Sequence, residues 1–185
     1  MADPVTVSFN PAELLSFQAA MTALSDDRLR QALREALSAA GGKTRTQVRR
    51  ALREQTNVKA AKDINDRTRS LLDAGQLEYQ IIADSKALPI DRVKGLSATV
   101  GPGGGISAAP WQVMRQFQRS FVIQAGEGLK YVARTSDKRF PIRRLYGPSV
   151  MKELTKDQSR EIFETYAIVE LEAQVVSKLE RFLPH

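Results

Sequence analysis

A chain of 185 residues, 42% apolar and 26% charged, is long enough for one domain that buries roughly 70% of its unfolded surface. It has no cysteine, and its one histidine is the last residue, His185, which argues against disulfides, thiolate nucleophiles, zinc–sulfur sites and Ser-His-Asp catalysis. The net charge of +7 favours an acidic partner, either nucleic acid or an acidic protein surface.

Val5–Phe9 alternates apolar and polar residues and predicts a short strand. Asn10, Pro11 and Glu13 then form a capping box, and Leu14, Phe17, Met21 and Leu24 continue a first helix over 11–24. Ser25 is a second N-cap, with Asp26 and Asp27 at the positive end of the helix dipole. Leu29, Leu33, Ala36, Leu37 and Ala40 stay in helical phase with Val48, Ala51 and Leu52 across Gly41-Gly42. The expectation is one long helix, weakened or kinked at glycines that cost ~1 kcal/mol each against alanine. Two helices with a break are the alternative. Asn57 is expected to cap a shorter amphipathic segment that buries Val58, Ala61, Ile64 and Leu71 and stops near Gly75.

Leu77, Tyr79, Ile81 and Ala83 alternate with their neighbours as a half-buried strand does. Leu88-Pro89-Ile90 reads as extended, because proline biases the residue before it away from helix. Leu96, Ala98 and Val100 form another alternating strand, and residues 101–110, with four glycines and two prolines, read as a mobile surface loop. Trp111, Met114 and Phe117 are spaced as on a helical turn, with core packing the bland reading and a partner anchor the sharper one. Phe121–Gln124 and Leu129–Ala133 read as a hairpin joined through glycines. Thr155 and Gln158 form a capping box that opens the last helix.

That helix carries two apolar stripes: Ile162, Tyr166, Val169, Ala173 and Val176, and Ile168, Leu171, Val175, Leu179 and Phe182. One stripe docks a helix on its own domain; the second needs the first long helix or another subunit to cover it. The order of elements predicts a single α+β domain: an antiparallel sheet of about four strands packed by a long N-terminal basic helix and a long C-terminal helix. Its parts are a strand and helix over 1–25, a helical region over 26–75, the sheet over 76–148 and the last helix over 149–185. No apolar run approaches the ~20 residues of a membrane span. The start, Met1-Ala2-Asp3-Pro4, lacks a secretory signal, so the chain is expected to act where it is made.

Two basic features stand out. Between Arg28 and Arg53 lie eight cations, including Arg45, Arg49, Arg50 and Arg53, against the single acid Glu35. Guanidinium forks suit phosphates and carboxylates alike, so this strip is a contact surface for DNA or an acidic neighbour, or else a solvated helix face. Farther on, Arg139, Arg143 and Arg144 surround Phe140, Leu145 and Tyr146 in a connector stiffened by Pro141, Gly147 and Pro148. Gly101–Gly105 lacks the Gly-Lys-Ser/Thr of a phosphate loop, and acidic pairs such as Asp26-Asp27 sit in basic helical surroundings. No constellation reads as an active site, cofactor site or metal site, so the chain is not expected to be an enzyme.

The chain resembles the phage minor tail protein Z, or tail completion, family over most of its length. The resemblance rests on Lys43-Thr-Arg-Thr-Gln-Val-Arg-Arg50, the strand leading into Ala87-Leu-Pro-Ile90, the hairpin, and Phe140-Pro-Ile-Arg-Arg-Leu-Tyr-Gly-Pro-Ser-Val150. The last signature is the most specific. The glycine-rich stretch at 101–110 and Trp111–Arg119 depart from the pattern. The resemblance implies a structural virion protein, made in the host cytoplasm and placed at the head-proximal tail end or neck, where it joins head and tail. It also implies a homo-oligomeric ring, commonly sixfold, that touches tail tube, tail terminator or head-joining proteins, with no membrane involved; the basic helix then either lines a channel crossed by DNA or docks on acidic tube subunits. Arg45, Arg49, Arg50, Arg53, Arg139, Arg143, Arg144 and Tyr146 are then the expected partner or DNA contacts. Ile168, Leu171, Val175, Leu179 and Phe182 are the expected subunit contacts. The alternative is a cytoplasmic nucleic-acid-binding module that uses the basic helix over 28–53.

Overall fold

Helix α1 (Asp26–Thr56) continues through Gly41-Gly42 without interruption. The computed structural model describes residues 5–8, 26–99, 105–126 and 128–181. The expected helix over 11–24, its Asn10–Glu13 box, the Ser25 cap, Val100 and Phe182 lie outside them. The glycines do not end α1 because burial compensates for their poor helix propensity: Gly41 is packed beneath the ring of Tyr79.

A five-residue helix α2 (Ala61–Asn65) follows, then β2 (Thr68–Asp73) and β3 (Glu78–Ala83). With β1 (Val5–Ser8) these strands form a sheet in the order β1-β3-β2, antiparallel throughout. The alternation along β3 is as the sequence predicts, with Tyr79, Ile81 and Ala83 buried. The amphipathic helix expected up to Gly75 is not observed beyond Asn65. Residues 68–73 pair with β3 over six register positions, and this ladder overrides the helical spacing that had grouped Leu71 with Ile64. Leu71 is exposed, and so is Ala61. Asn57 does not cap α2; it takes a left-handed φ of 55° where α1 ends, and its amide donates to the Ala109 carbonyl at 2.8 Å.

The middle of the chain is a run of short strands. These are β4 (Ala87–Pro89), β5 (Ser97–Ala98), β6 (Ile106–Ala108), β7 (Arg115–Phe117), β8 (Ser120–Ala125), β9 (Gly128–Arg134), β10 (Ile142–Arg144) and β11 (Tyr146–Ser149). They do not form one four-stranded sheet. They make a β10-β9-β8 sheet, a β5-β6-β7 sheet and a β11-β4 pair, beside β1-β3-β2. Prolines at 89, 110, 141 and 148 punctuate the run, and each lacks the N–H that would extend a ladder.

The stretch expected to be a mobile loop contains β6, and Ile106 and Ala108 are fully buried there. The helical turn expected at Trp111–Phe117 is also absent. Trp111 sits on a 3-10 turn (Pro110–Gln112) with a left-handed φ of 55°, and Phe117 ends β7. Trp111 and Met114 are exposed, and the Arg115 guanidinium stacks on the Trp111 ring 5.1 Å from its centre.

Helices α3 (Val150–Leu154) and α4 (Asp157–Glu180) close the chain. The Thr155–Gln158 capping box does not form; Lys156 holds the N-cap position of α4 and makes no side-chain cap. The first turn is instead bonded from α1. Gln55 Oε1 accepts from the Ser159 backbone N–H at 3.1 Å and from its hydroxyl at 2.6 Å. The same amide donates to the Glu153 carbonyl at 3.2 Å and its carboxylate at 2.9 Å.

From that end α4 runs antiparallel along α1, with Lys43 bonded to Glu170 midway and Lys178 3.8 Å from Glu35 farther on. The main core lies between this helix pair and β3. It joins Ala36, Leu37, Ala40, Val48 and Leu52 of α1 to Tyr79 and Ile81, and to Phe163, Leu171, Val175 and Leu179 of α4. A second core under the short strands gathers Ile90, Val93, Ile106, Ala108, Ala133 and Leu145.

Candidate functional site

The basic helix does not present a uniform row of free charges. Arg45 donates to the Ser70 hydroxyl at 2.7 Å, and Arg49 to the Thr68 hydroxyl at 2.7 Å and the Thr68 carbonyl at 2.5 Å. Arg53 donates to the Lys59 carbonyl at 2.9 Å, and Arg34 to the Ala74 carbonyl at 3.0 Å. These acceptors are neutral, so the guanidiniums are held in place without being neutralised. Burial, with neighbouring Arg45 as the second cause, lowers the Arg49 pKa, while Tyr79 opposes the shift. Arg50 is exposed on the same helix.

Arg49, Arg50 and Arg53 converge on an open groove of about 600 Å³, shared with Thr46, Asn65 and Lys94. One wall is the C-terminal third of α1, the opposite wall is α2, and Lys94 comes from the turn after β4. Among the described residues Glu54 is the only acid on the lining and Ala61 the only apolar residue. Four cations against one acid give the groove a local net charge of +3. Among the described residues no carboxylate lies within ion-pair distance of Arg45, Arg49, Arg50, Arg53 or Lys94. Among the described residues the buried Nε atoms of Arg45 and Arg53 have no hydrogen-bond partner.

The Arg139–Val150 connector is anchored by its backbone and turned outward by its side chains. β10 pairs with β9 from Ile142↔Arg134 to Arg144↔Val132, and β11 pairs with β4 through Tyr146↔Pro89 and Ser149↔Ala87. Leu145 sits in the second core between them. Gly147 permits the close fit, since a Cβ there would stand 2.9 Å from Val93 Cγ2. Phe140 is 62% exposed and Tyr146 52% exposed. Arg139 lies over the Phe140 ring at 5.6 Å and Arg144 over Tyr146 at 5.8 Å. Arg143 is exposed as well.

Short polar contacts link the two basic regions. Arg144 approaches Asp91 at 3.6 Å, and the Asp91 carbonyl accepts from Lys59 Nζ at 2.9 Å. Lys59 in turn offers its carbonyl to Arg53. Asp91 also approaches Arg92 at 3.7 Å, and Arg92 reaches Asp63 at 3.4 Å. Arg144 and Tyr146 are therefore near neighbours of the groove, whereas Arg139 contacts only its own aromatic among these groups. Sequence reading identified the arginines but not Lys94, Asn65, Lys59 or Asp91. Nothing local marks those four: the turn at Ile90–Arg92 brings in Asp91 and Lys94, and the return of the chain from α1 into α2 brings in Lys59 and Asn65.

The stripe expected to face another subunit divides. Leu171, Val175 and Leu179 are buried and pack in the core with α1, the within-chain cover that a second stripe required. Ile168 is 57% exposed and adjoins Val169, 67% exposed, with exposed Val176 about two turns on. The outward apolar face of α4 is therefore Ile168, Val169 and Val176.

Among the described residues no group of three or more His, Asp or Glu side chains is placed to hold a metal. No helix among them is long and apolar enough to cross a membrane. Comparison with protein-family models, curated proteins and solved structures gave no match.

Proposed function

We propose that this chain is a structural protein of a long-tailed phage particle, a minor tail or tail-completion protein at the head-proximal end or neck that joins head and tail. One observation carries the reading. The signature over 139–150 fixes its backbone to two sheets yet turns Phe140, Arg143 and Tyr146 to solvent. Aromatic and arginine side chains displayed on a rigid frame are the ingredients of protein-interface hot spots. The outward face of α4 supplies a second apolar surface, of the kind that a closed ring of identical subunits would cover.

Arg143→Glu with Tyr146→Ala would test the proposal in a particle that depends on the gene. The expected result is accumulation of separate heads and tails, counted by electron microscopy, while the purified variant keeps its melting temperature. Unimpaired joining would overturn the reading. A second reading, a nucleic-acid-binding module built on the basic helix, is favoured by the uncompensated groove cations. It predicts salt-dependent duplex binding by the isolated protein, whereas a purely protein-docking role predicts ring formation with little affinity for free DNA.

A further inference from the structure

We infer that the groove between α1 and α2, and not the basic helix as a whole, is a binding site for the phosphodiester backbone of nucleic acid. The inference rests on the reading in which the basic helix meets DNA, and it narrows that contact to Arg49, Arg50, Arg53, Asn65 and Lys94. Three observations support it. First, among the described residues the lining has a net charge of +3 and a single apolar residue, Ala61. Protein-docking surfaces place an apolar core inside a polar rim, whereas nucleic-acid interfaces are polar and strongly cationic.

Second, the cations are prepositioned. Arg49 is tied to Thr68 and to the Asn65 carbonyl at 3.3 Å, and Arg53 to Lys59, so little side-chain freedom is lost when an anion arrives. Both retain N–H groups that these neutral acceptors do not engage, and among the described residues buried Arg53 Nε has no partner. Third, Lys94 and Asn65 lie on the walls facing the helix, so donors converge from three chain segments. A solvated helix face would leave the arginines of one helix pointing apart.

Burial is the first cause that lowers the Arg49 pKa, and nearby Arg45 lowers it further, an effect that a bound anion beside Arg49 would oppose. Arg28 and Arg30, on the same helix, lie more than ten residues from the groove and are not part of the site.

The test measures fluorescence anisotropy of a labelled 20-base-pair duplex against salt, with the full chain. Two double variants are compared with the unaltered protein: Arg50→Glu with Lys94→Glu, and Arg28→Glu with Arg30→Glu. Each changes the net charge equally. The expected result is that the groove pair lowers the slope of log affinity against log salt by about two, one for each phosphate contact removed. The helix-start pair should leave the slope nearly unchanged. Equal losses from both pairs would overturn the groove assignment while leaving the DNA-contact reading intact. No binding by the unaltered protein at low salt would overturn both. Displacement of the duplex by polyglutamate at matched charge would also overturn the inference, in favour of an acidic protein partner. Arg50→Gln with Lys94→Gln replaces the reversal if circular dichroism shows that the first variant is unfolded, with the slope again expected to fall.

Discussion

The ring of Tyr79 packs directly over Gly41, so close that a Cβ at position 41 would stand well inside van der Waals contact distance of three ring atoms. This contact lets α1 lie on β3 at the midpoint of the α1–α4 pair, and it explains why a helix of 31 residues tolerates a glycine pair at its centre. The two glycines are not equivalent: an added Cβ at Gly42 meets nothing within 4 Å.

Substituting each by alanine separates packing from propensity. Gly42→Ala should stabilise the protein by up to ~1 kcal/mol through helix propensity alone. Gly41→Ala gains the same propensity but must displace a buried ring, an overpacking cost of roughly 1–3 kcal/mol that outweighs it. Urea midpoints should therefore move in opposite directions. A Gly41→Ala variant as stable as Gly42→Ala would mean that Tyr79 does not hold this position.

Gln55 is the bond that ties α1 to the start of α4. Its amide accepts from both groups of Ser159 and donates twice to Glu153, which is itself buried. Gln55→Leu keeps the volume but leaves the first turn of α4 uncapped and the Glu153 carboxylate without this partner. A loss of roughly 1–3 kcal/mol is expected in chemical denaturation. Hydrogen exchange should rise first at the start of α4.

What the sequence made legible follows the range of the interaction involved. The period-2 burial of Tyr79, Ile81 and Ala83 and the helical phase of Ala36, Leu37, Ala40, Val48 and Leu52 are local patterns, and the structure keeps them. Gln55 as a cap was not legible, since its partner lies about a hundred residues away and Thr155 offered a plausible local substitute. The strand at Ile106–Ala108 was masked by the glycines before it, although Ile106 and Ala108 do alternate. Trp111, Met114 and Phe117 share a helical spacing by coincidence; the left-handed φ at Trp111 and Gln112 breaks any helix there. For the candidate site, the arginines were visible as charge. Which of them are engaged by Ser70 and Thr68, and which share a groove with Lys94, depended on tertiary contacts.

Gly147 sets how closely the connector lies against the second core. An added Cβ would stand 2.9 Å from Val93 Cγ2 and 3.7 Å from both Ile90 Cδ1 and the Leu88 carbonyl. Gly147→Ala should push β11 off β4, costing about 1–3 kcal/mol. Arg144 and Tyr146 flank this point, so if the proposed role in head–tail joining holds, the same variant should weaken assembly more than its loss of stability accounts for, measured as assembly yield at a temperature where the protein remains folded.

Glu170 predicts a pH dependence. Its hydrogen bond from Lys43 is the largest cause that holds its carboxyl below the usual value; Gln174 and Tyr166 add to this, and burial opposes it. A carboxylate with a depressed folded-state pKa stabilises the fold above its unfolded value, about 4.3, and that contribution is lost as the pH falls through the lower folded value. Lys43→Met should therefore reduce stability near neutral pH and flatten the acid limb of a plot of Tm against pH. Parallel curves for variant and parent would show that the bond does not form in solution.

The last helix gives the clearest contrast between neighbouring positions. Leu171 is buried among Leu37, Ala40 and Phe163, while Ile168, less than a turn away, points to solvent. Leu171→Ala should cost about 2–5 kcal/mol, as a truncation in a packed core does. Ile168→Ser should change stability by less than ~0.5 kcal/mol in the isolated chain, as a substitution at an exposed site does. If the outward face of α4 is covered by a second subunit, Ile168→Ser combined with Val169→Ser should shift sedimentation toward the monomer without lowering the monomer's own stability. A sedimentation profile unchanged from the parent would assign that face to solvent and remove it from the proposed ring contact.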